Sequence, residues 1–204
     1  DRALFPGDLE AGMAFEGLGK WKGEQGHRLA VWTKDPVRLV PEAFLEALSW
    51  RKPRRVFVCS VSDLFHEDIP LDYIGAWWAV MAITSHITYQ VVTKRPERML
   101  EFFRWTRENG GPDHWYACLR ALVDRMPGDR AQVKHTATWT RVGATILSRF
   151  KAVTATAGLV RKETLERLPN VWLLTSTENQ EWLDKRVPFL LRCPAVVHGI
   201  SAEP

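Results

Sequence analysis

Polar residues that could carry out chemistry follow two separate apolar stretches of the sequence. Asp63 and His66 come after "VFVCSVS", and Lys94 and Arg95 come after "ITYQVV". A carboxylate and an imidazole can act as general acid and base. A lysine–arginine pair suits a carboxylate or phosphate, because arginine binds such anions through two parallel hydrogen bonds. The alternative is structural: Asp63 caps a turn, His66 is a satisfied turn histidine, and Arg95 forms an internal ion pair with Asp63 or Glu97.

Two more polar clusters lie near the end of the chain. Ser176, Glu178 and Gln180 follow "NVWLLT", and Glu203 follows "AVVHGIS". Glu178 also has a structural explanation, because an acidic residue is favoured in the first turn of a helix. Each cluster taken alone can be explained by turns and caps. Those explanations do not account for four apolar stretches that all end in polar residues.

The elements that must position these residues are strands followed by helices. Each apolar stretch reads as a buried strand, and an amphipathic helix pattern comes next, for example in "PERMLEFFRWTRE". This alternation predicts right-handed βαβ units and a parallel sheet, in which the carboxyl ends of the strands form the ligand face. We expect a single α/β domain over residues 1–204. It has an irregular segment over residues 1–36 and a helical insertion over about residues 109–168, between the second and third strands.

Composition narrows the class of protein only a little. The 204 residues carry a formal net charge of +4, and the hydrophobic fraction of 46% is ordinary for a globular chain. Three cysteines, Cys59, Cys118 and Cys193, are too dispersed to predict a disulfide framework or a metal site. No apolar run reaches membrane-spanning length, so we expect a cytoplasmic protein without a membrane partner.

The motif blocks resemble a known family. "LSWRKPRRVFVCSVSDLFHEDIP", "YQVVTKRPERM", "NVWLLTSTENQ" and "ISAEP" are similar, in order and spacing, to blocks of a phage-associated radical S-adenosylmethionine family. The resemblance covers residues 50–98 and 170–204, and "SDLFH" and "TKRPERM" are its most specific blocks. It implies a partial (β/α) barrel with parallel strands and, for a chain encoded by a phage, a place in the host cytoplasm.

The resemblance also implies cofactors and roles for the polar residues. Its members use a [4Fe–4S] cluster to reduce S-adenosylmethionine, and the 5′-deoxyadenosyl radical that results abstracts a hydrogen atom from the substrate. By resemblance, Ser176, Glu178, Gln180 and Glu203 bind S-adenosylmethionine. Asp63, His66, Lys94 and Arg95 face the substrate as the catalytic group. A nucleotide or a DNA base undergoing modification is the substrate that this reading favours.

The sequence departs from that family in several places. Members carry a three-cysteine loop upstream that binds the cluster, and the printed sequence has no counterpart of it. Members also continue beyond "SAEP" with another strand and helix. The chain is therefore interpreted either as part of a longer protein or as a member that lost its cluster, and the sequence leaves both readings open.

Two other functions compete with the radical enzyme. One is a non-catalytic domain that binds nucleic acid or a protein partner, which the basic charge and the missing cysteine loop favour. The other is a hydrolase or lyase that uses His66 and Asp63, which ranks last because no nucleophile motif such as GxSxG is present. If strands are missing, the open sheet edge also predicts self-association or a partner chain.

Overall fold

The computed structural model describes two sheets and five helices. The described residues are 18–22, 28–32, 39–40, 43–59, 62–125 and 166–203. In chain order the elements are β1 (Leu18–Lys22), β2 (Arg28–Trp32), α1 (Ala43–Ser49), β3 (Arg54–Val58), α2 (Leu71–Ile83), β4 (Ile87–Thr93), α3 (Pro96–Glu108), α4 (Pro112–Arg125), β5 (Val171–Thr177), α5 (Gln180–Leu190) and β6 (Val197–Ala202).

The larger sheet has four strands, and all of its pairings are parallel. The strand order is β3-β4-β5-β6, so each strand lies beside the next one in the sequence. The prediction of an α/β fold with a parallel sheet is confirmed. Among the described residues the sheet is open rather than closed, and β3 and β6 each have a neighbour on one side only. Self-association at such an edge stays a prediction.

The N-terminal segment contains regular structure. Residues 1–36 were predicted to be irregular because glycines and lysines obscure any periodicity. Within that range β1 and β2 pair antiparallel, with Leu18 opposite Trp32 and Lys22 opposite Arg28. The prediction is wrong over these two strands. The physical reason is that a short strand can be stabilised by backbone hydrogen bonds to its partner, so its side chains need not show clear alternation.

The helices cover one face of the sheet. Crossover connections that always step to the next strand in the same direction place their helices on the same side. Consistent with this, α3 contacts both α2 and α5. Residues on the helix face of the sheet, such as Tyr89, Val91 and Leu173, are almost fully buried. The opposite face is only partly buried, and Phe57 remains 43% exposed there.

Helix α2 was expected to be amphipathic, but it is buried on nearly every side. Tyr73, Gly75 and Ala76 are buried as well as the predicted apolar face. The reason is tertiary: α4 packs directly on α2. A methyl group added at Gly75 would lie 3.2 Å from Cys118 Sγ, which shows how closely the two helices approach. Helix α4, predicted as part of an insertion, therefore belongs to the main core, while residues 126–165 lie outside the described residues.

A buried asparagine joins three elements at the amino end of the sheet. Asn170, just before β5, donates from Nδ2 to the carbonyl oxygens of Met81 in α2 and Ile87 in β4, both at 2.9 Å. These bonds satisfy two buried carbonyl groups that would otherwise lack a donor. They also tie the start of β5 to the start of β4 and to α2.

No helix in the described part of the chain is both long and apolar enough to cross a membrane.

Candidate functional site

The ends of β4, β5 and β6 bring one lysine between two carboxylates. Lys94 directly follows β4, and its Nζ lies 2.7 Å from Glu178 Oε1 and 3.1 Å from Glu203 Oε2. Glu178 follows β5 and Glu203 follows β6. Ser176 donates to Glu203 Oε1 at 2.6 Å. The parallel register places these residues together, because Thr93 pairs with Thr175 and Thr177 pairs with Ala202.

A buried arginine completes this group, which we call the carboxylate–lysine cluster (Lys94, Ser176, Glu178, Arg186 and Glu203). Arg186 Nη1 donates to the Ser176 carbonyl at 2.6 Å and to Glu178 Oε2 at 2.8 Å. Its guanidinium carbon lies 4.3 Å from the centre of the Trp182 ring. Its Nε is buried without a hydrogen-bond partner. Arg186 was not among the residues predicted from the sequence, although its i,i+4 spacing from Trp182 on a helix indicates a contact between the two side chains.

The charges of the cluster shift the pKa values of its members. The hydrogen bond from Lys94 is the main reason that the pKa of Glu178 is lowered, and Arg186 lowers it further. The pKa of Glu203 is lowered chiefly by the Ser176 hydroxyl and then by Lys94. The pKa of Lys94 is raised by its hydrogen bonds to both carboxylates. With Arg186 the cluster has two cations and two carboxylates, so its net charge at neutral pH is zero.

Asp63 forms a second network beside the cluster. Its carboxylate accepts from Thr93 Oγ1 at 2.7 and 2.9 Å, from the Lys94 backbone N–H at 3.1 Å and from Phe65 N–H at 2.9 Å. Arg95 Nη1 pairs with Asp63 Oδ2 at 3.2 Å. Asp63 therefore ties the loop after β3 to the end of β4. Asp63 and Arg95 were both predicted to face the substrate, and they bind each other. The positive charge of Arg95 is therefore compensated within the chain.

His66 and Gln180 lie apart from the cluster. The Nδ1 atom of His66 accepts a long hydrogen bond, 3.3 Å, from the backbone N–H of Asp68. Gln180 is exposed at the start of α5, and its Nε2 donates to Asp184 Oδ1 at 2.7 Å. Both side chains are satisfied within their own loop or helix. The structure therefore gathers Lys94, Ser176, Glu178 and Glu203, places Asp63 and Arg95 next to them, and leaves His66 and Gln180 in local contacts.

The cysteines do not fit an iron–sulfur cluster. Burial raises the pKa of Cys59 and Cys118 to about 11 and that of Cys193 to about 12, which disfavours the thiolate form that binds iron. Cys118 packs against Gly75 in the helical layer, whereas Cys193 donates to the carbonyl of Phe189. Among the described residues, no three or more of His, Cys, Asp and Glu form a group that could hold a metal ion. The ligands of a [4Fe–4S] cluster are thus not found in this part of the chain.

The fold and the site together define an α/β protein with an open parallel sheet and a charged cluster at its carboxyl edge. Ligand sites of such folds lie at this edge. The chain belongs to the family described as protein of unknown function (DUF5131), whose model matches residues 13–204. No curated protein and no solved structure gives a significant match to the chain.

We expect the two carboxylates of the cluster to respond differently to loss of the lysine. Replacing Lys94 with Met removes the main cause of the low pKa of Glu178, whereas the low pKa of Glu203 rests first on Ser176. The pKa of Glu178 should therefore rise more than that of Glu203. NMR titration of the glutamate side-chain carboxyl carbons measures both.

The pH dependence of the cluster follows from the same shifts. A carboxylate with a lowered pKa stabilises the fold at neutral pH, and that stabilisation is lost as the pH falls through the lowered value. Lys94, with a raised pKa, loses its contribution to stability as the pH rises through that raised pKa.

Ser176→Ala is the matched control for the Lys94 substitution, since it should raise the pKa of Glu203 more than that of Glu178. An equal response of both carboxylates to both substitutions would contradict the described hydrogen bonds.

Proposed function

We propose that the protein is an enzyme of the radical S-adenosylmethionine type, and that the carboxylate–lysine cluster binds the amino-acid end of S-adenosylmethionine. The radical type rests on the resemblance of the motif blocks. One observation supports binding of the amino-acid end: a primary ammonium, that of Lys94, is held between Glu178 and Glu203 at 2.7 and 3.1 Å. A pair of carboxylates that holds a lysine ammonium has the geometry and charge to hold the α-ammonium of an amino acid.

An exchange of ion pairs would admit the ligand. The Lys94 side chain is 48% exposed, so its flexible stem can leave the carboxylates at little cost in packing. The ligand ammonium then takes its place, and Lys94 becomes available for the ligand carboxylate. Because the cluster has no net charge, a zwitterionic amino-acid group matches it better than a simple anion or cation does. The Ser176 hydroxyl lies beside Glu203 and can contribute a further hydrogen bond to the ligand.

The arrangement of strands is consistent with an arc of a (β/α) barrel, which is the finer fold that this proposal includes. Four parallel strands in sequential order, with helices packed on one another along one side, form such an arc. A doubly wound sheet would instead reverse its strand order at a switch point. A nucleotide or DNA-base substrate remains a prediction, to which the Asp63–Arg95 pair adds no support.

Calorimetric titration with S-adenosylmethionine tests the proposal. We expect the wild-type protein to bind it, and Glu178→Gln and Glu203→Gln each to weaken binding about tenfold or more, because each removes a charge-assisted hydrogen bond. Glu181→Gln is the control: Glu181 lies on α5 and pairs with Lys185, outside the cluster.

A second ligand separates the amino-acid contact from any contact with the adenosine part. 5′-Methylthioadenosine has the adenosine group but lacks the ammonium and carboxylate. It should bind the wild type at least tenfold more weakly, and Glu178→Gln should leave its affinity unchanged. If S-adenosylmethionine does not bind, or if Glu178→Gln and Glu181→Gln behave alike, the cluster does not hold the amino-acid end and the proposal fails.

A further inference from the structure

The amino end of the sheet carries a concentration of positive charge that the candidate site does not use. Residues 50–55 read "WRKPRR", and Arg51, Lys52, Arg54 and Arg55 are all exposed. None of these four forms an ion pair with a carboxylate in the described part of the chain. Arg54 turns toward Trp50, with its guanidinium carbon 4.4 Å from the ring centre. Arg54 also lies close enough to Glu46 to lower the pKa of that carboxyl, against the larger effect of burial, which raises it. Arg51, Lys52 and Arg55 form no such contact with a described carboxylate, and cations gathered in this way at one end of a strand favour an anionic ligand.

Aromatic side chains lie on the less buried face of the sheet next to these cations. Phe57 in β3, Gln90 in β4 and Trp172 in β5 are neighbours in the strand register, and they form one row across the sheet. Phe57 is 43% exposed and Trp172 is half-buried. Arg55, two residues before Phe57 on the same face, places its guanidinium carbon 5.9 Å from the centre of the Trp172 ring.

This row combines the two contacts that unpaired nucleotides make with proteins. Exposed aromatic rings can stack on bases, while arginine and lysine side chains bind the phosphates. In a duplex the bases are already stacked on one another, so a flat aromatic face gains little from double-stranded nucleic acid. The amide of Gln90, between the two rings, can both donate and accept a hydrogen bond at a base edge.

We propose that this surface, the arginine–aromatic platform (Arg51, Lys52, Arg55, Phe57 and Trp172), binds single-stranded nucleic acid. Its aromatic row crosses the middle of β4 at Gln90, and its cations lie toward the amino end of β3. It shares no residue with the carboxylate–lysine cluster, so its test is separate from the test of S-adenosylmethionine binding. Lipid headgroups and acidic peptides would use the cations but leave the aromatic row without a role. They are therefore alternative outcomes of the test.

Fluorescence anisotropy with a labelled oligothymidylate of about 12 nucleotides tests this proposal at low salt, since single-strand sites span roughly 4–16 nucleotides. We expect the 204-residue chain to bind the single strand and to bind a duplex of the same length clearly less well. Phe57→Leu should weaken binding about tenfold, whereas Phe57→Tyr, which keeps the ring, should stay within about twofold of the wild type. Phe57 is exposed, so both variants should fold, and circular dichroism verifies this.

The contribution of charge is measured with a matched pair of arginine substitutions. Arg55→Ala should weaken binding and reduce the slope of log affinity against log salt by about 0.7, the value for one phosphate contact on a single strand. Arg104→Ala removes an exposed arginine on α3, on the helical side, and should change neither quantity. The proposal is overturned if the wild type does not bind the single strand, if Phe57→Leu has no effect, or if Arg104→Ala matches Arg55→Ala. Equal competition by anionic phospholipid vesicles or by an acidic peptide would also overturn it.

Discussion

Replacing Asp63 with Ala lowers the free energy of unfolding by about 3 kcal/mol. The carboxylate, whose side chain is only 14% exposed, accepts hydrogen bonds from the Thr93 hydroxyl and from the backbone N–H groups of Phe65 and Lys94. The Thr93 hydroxyl and the Phe65 N–H are partly buried, and each of them left without a partner costs about 1.5 kcal/mol. The Lys94 N–H is exposed, so water replaces its partner at little cost. In a chain of this length, such a loss lowers the melting temperature by roughly 6–12 °C, which thermal unfolding followed by circular dichroism measures.

Three further variants show whether the hydrogen bonds cause this effect. Asp63→Asn keeps one acceptor oxygen and should lose about half as much stability. Asp68→Ala, in the same loop but 60% exposed, should stay within about 0.5 kcal/mol of the wild type. Arg95→Ala removes a partner that is itself 40% exposed, so it should lower stability by less than about 1 kcal/mol. If Asp63→Ala left the melting temperature unchanged, the carboxylate would be free for a ligand rather than committed to the loop.

Replacing Trp78 with Ala should destabilise the protein most, by about 4 kcal/mol. Trp78 lies in the middle of α2 and is 1% exposed. Its ring centre is 4.8 Å from that of Phe102, 5.7 Å from that of Phe103 and 5.8 Å from that of Phe65. Its loss leaves a large cavity between α2 and α3, and it removes the surface against which Phe65 fixes the loop that carries Asp63.

The neighbouring tryptophan provides the matched control for that prediction. Trp77 follows the same helical backbone but is only half-buried, in contact with Phe44 at 4.3 Å. Trp77→Ala changes helix propensity equally and should cost about half as much. Urea unfolding of both variants gives the comparison. Equal losses for the two would mean that backbone propensity, rather than the aromatic core, accounts for the effect.

Local sequence patterns determined the elements of the sheet and its helices. The predicted helix "PERMLEFFRWTRE" matches α3, Pro96–Glu108, because a proline at the first helical position and apolar residues at helical spacing act within a few residues. The positions of the strands were predicted equally well from the continuous apolar residues. Their burial on both faces was not, because β3 alternates between buried and exposed residues and no residue of β6 is fully buried. The alternation of strands and helices predicted the parallel pairing. The sequence itself shows that polar residues come directly after β4, β5 and β6.

Contacts between distant residues decided what those polar groups do. Lys94 and Arg95 were expected to face the substrate, with an internal ion pair as the alternative for Arg95. The order β4-β5-β6 instead brings Glu178 and Glu203 to Lys94, and the loop after β3 brings Asp63 to Arg95. No pattern in the sequence records which strands will be neighbours. The same limit applies to α2, which is buried on nearly every side because α4 packs on it. Residue type and local spacing determined which groups reach the carboxyl edge, and tertiary packing alone determined their partners, because the ion pairs form between segments that only the sheet holds together.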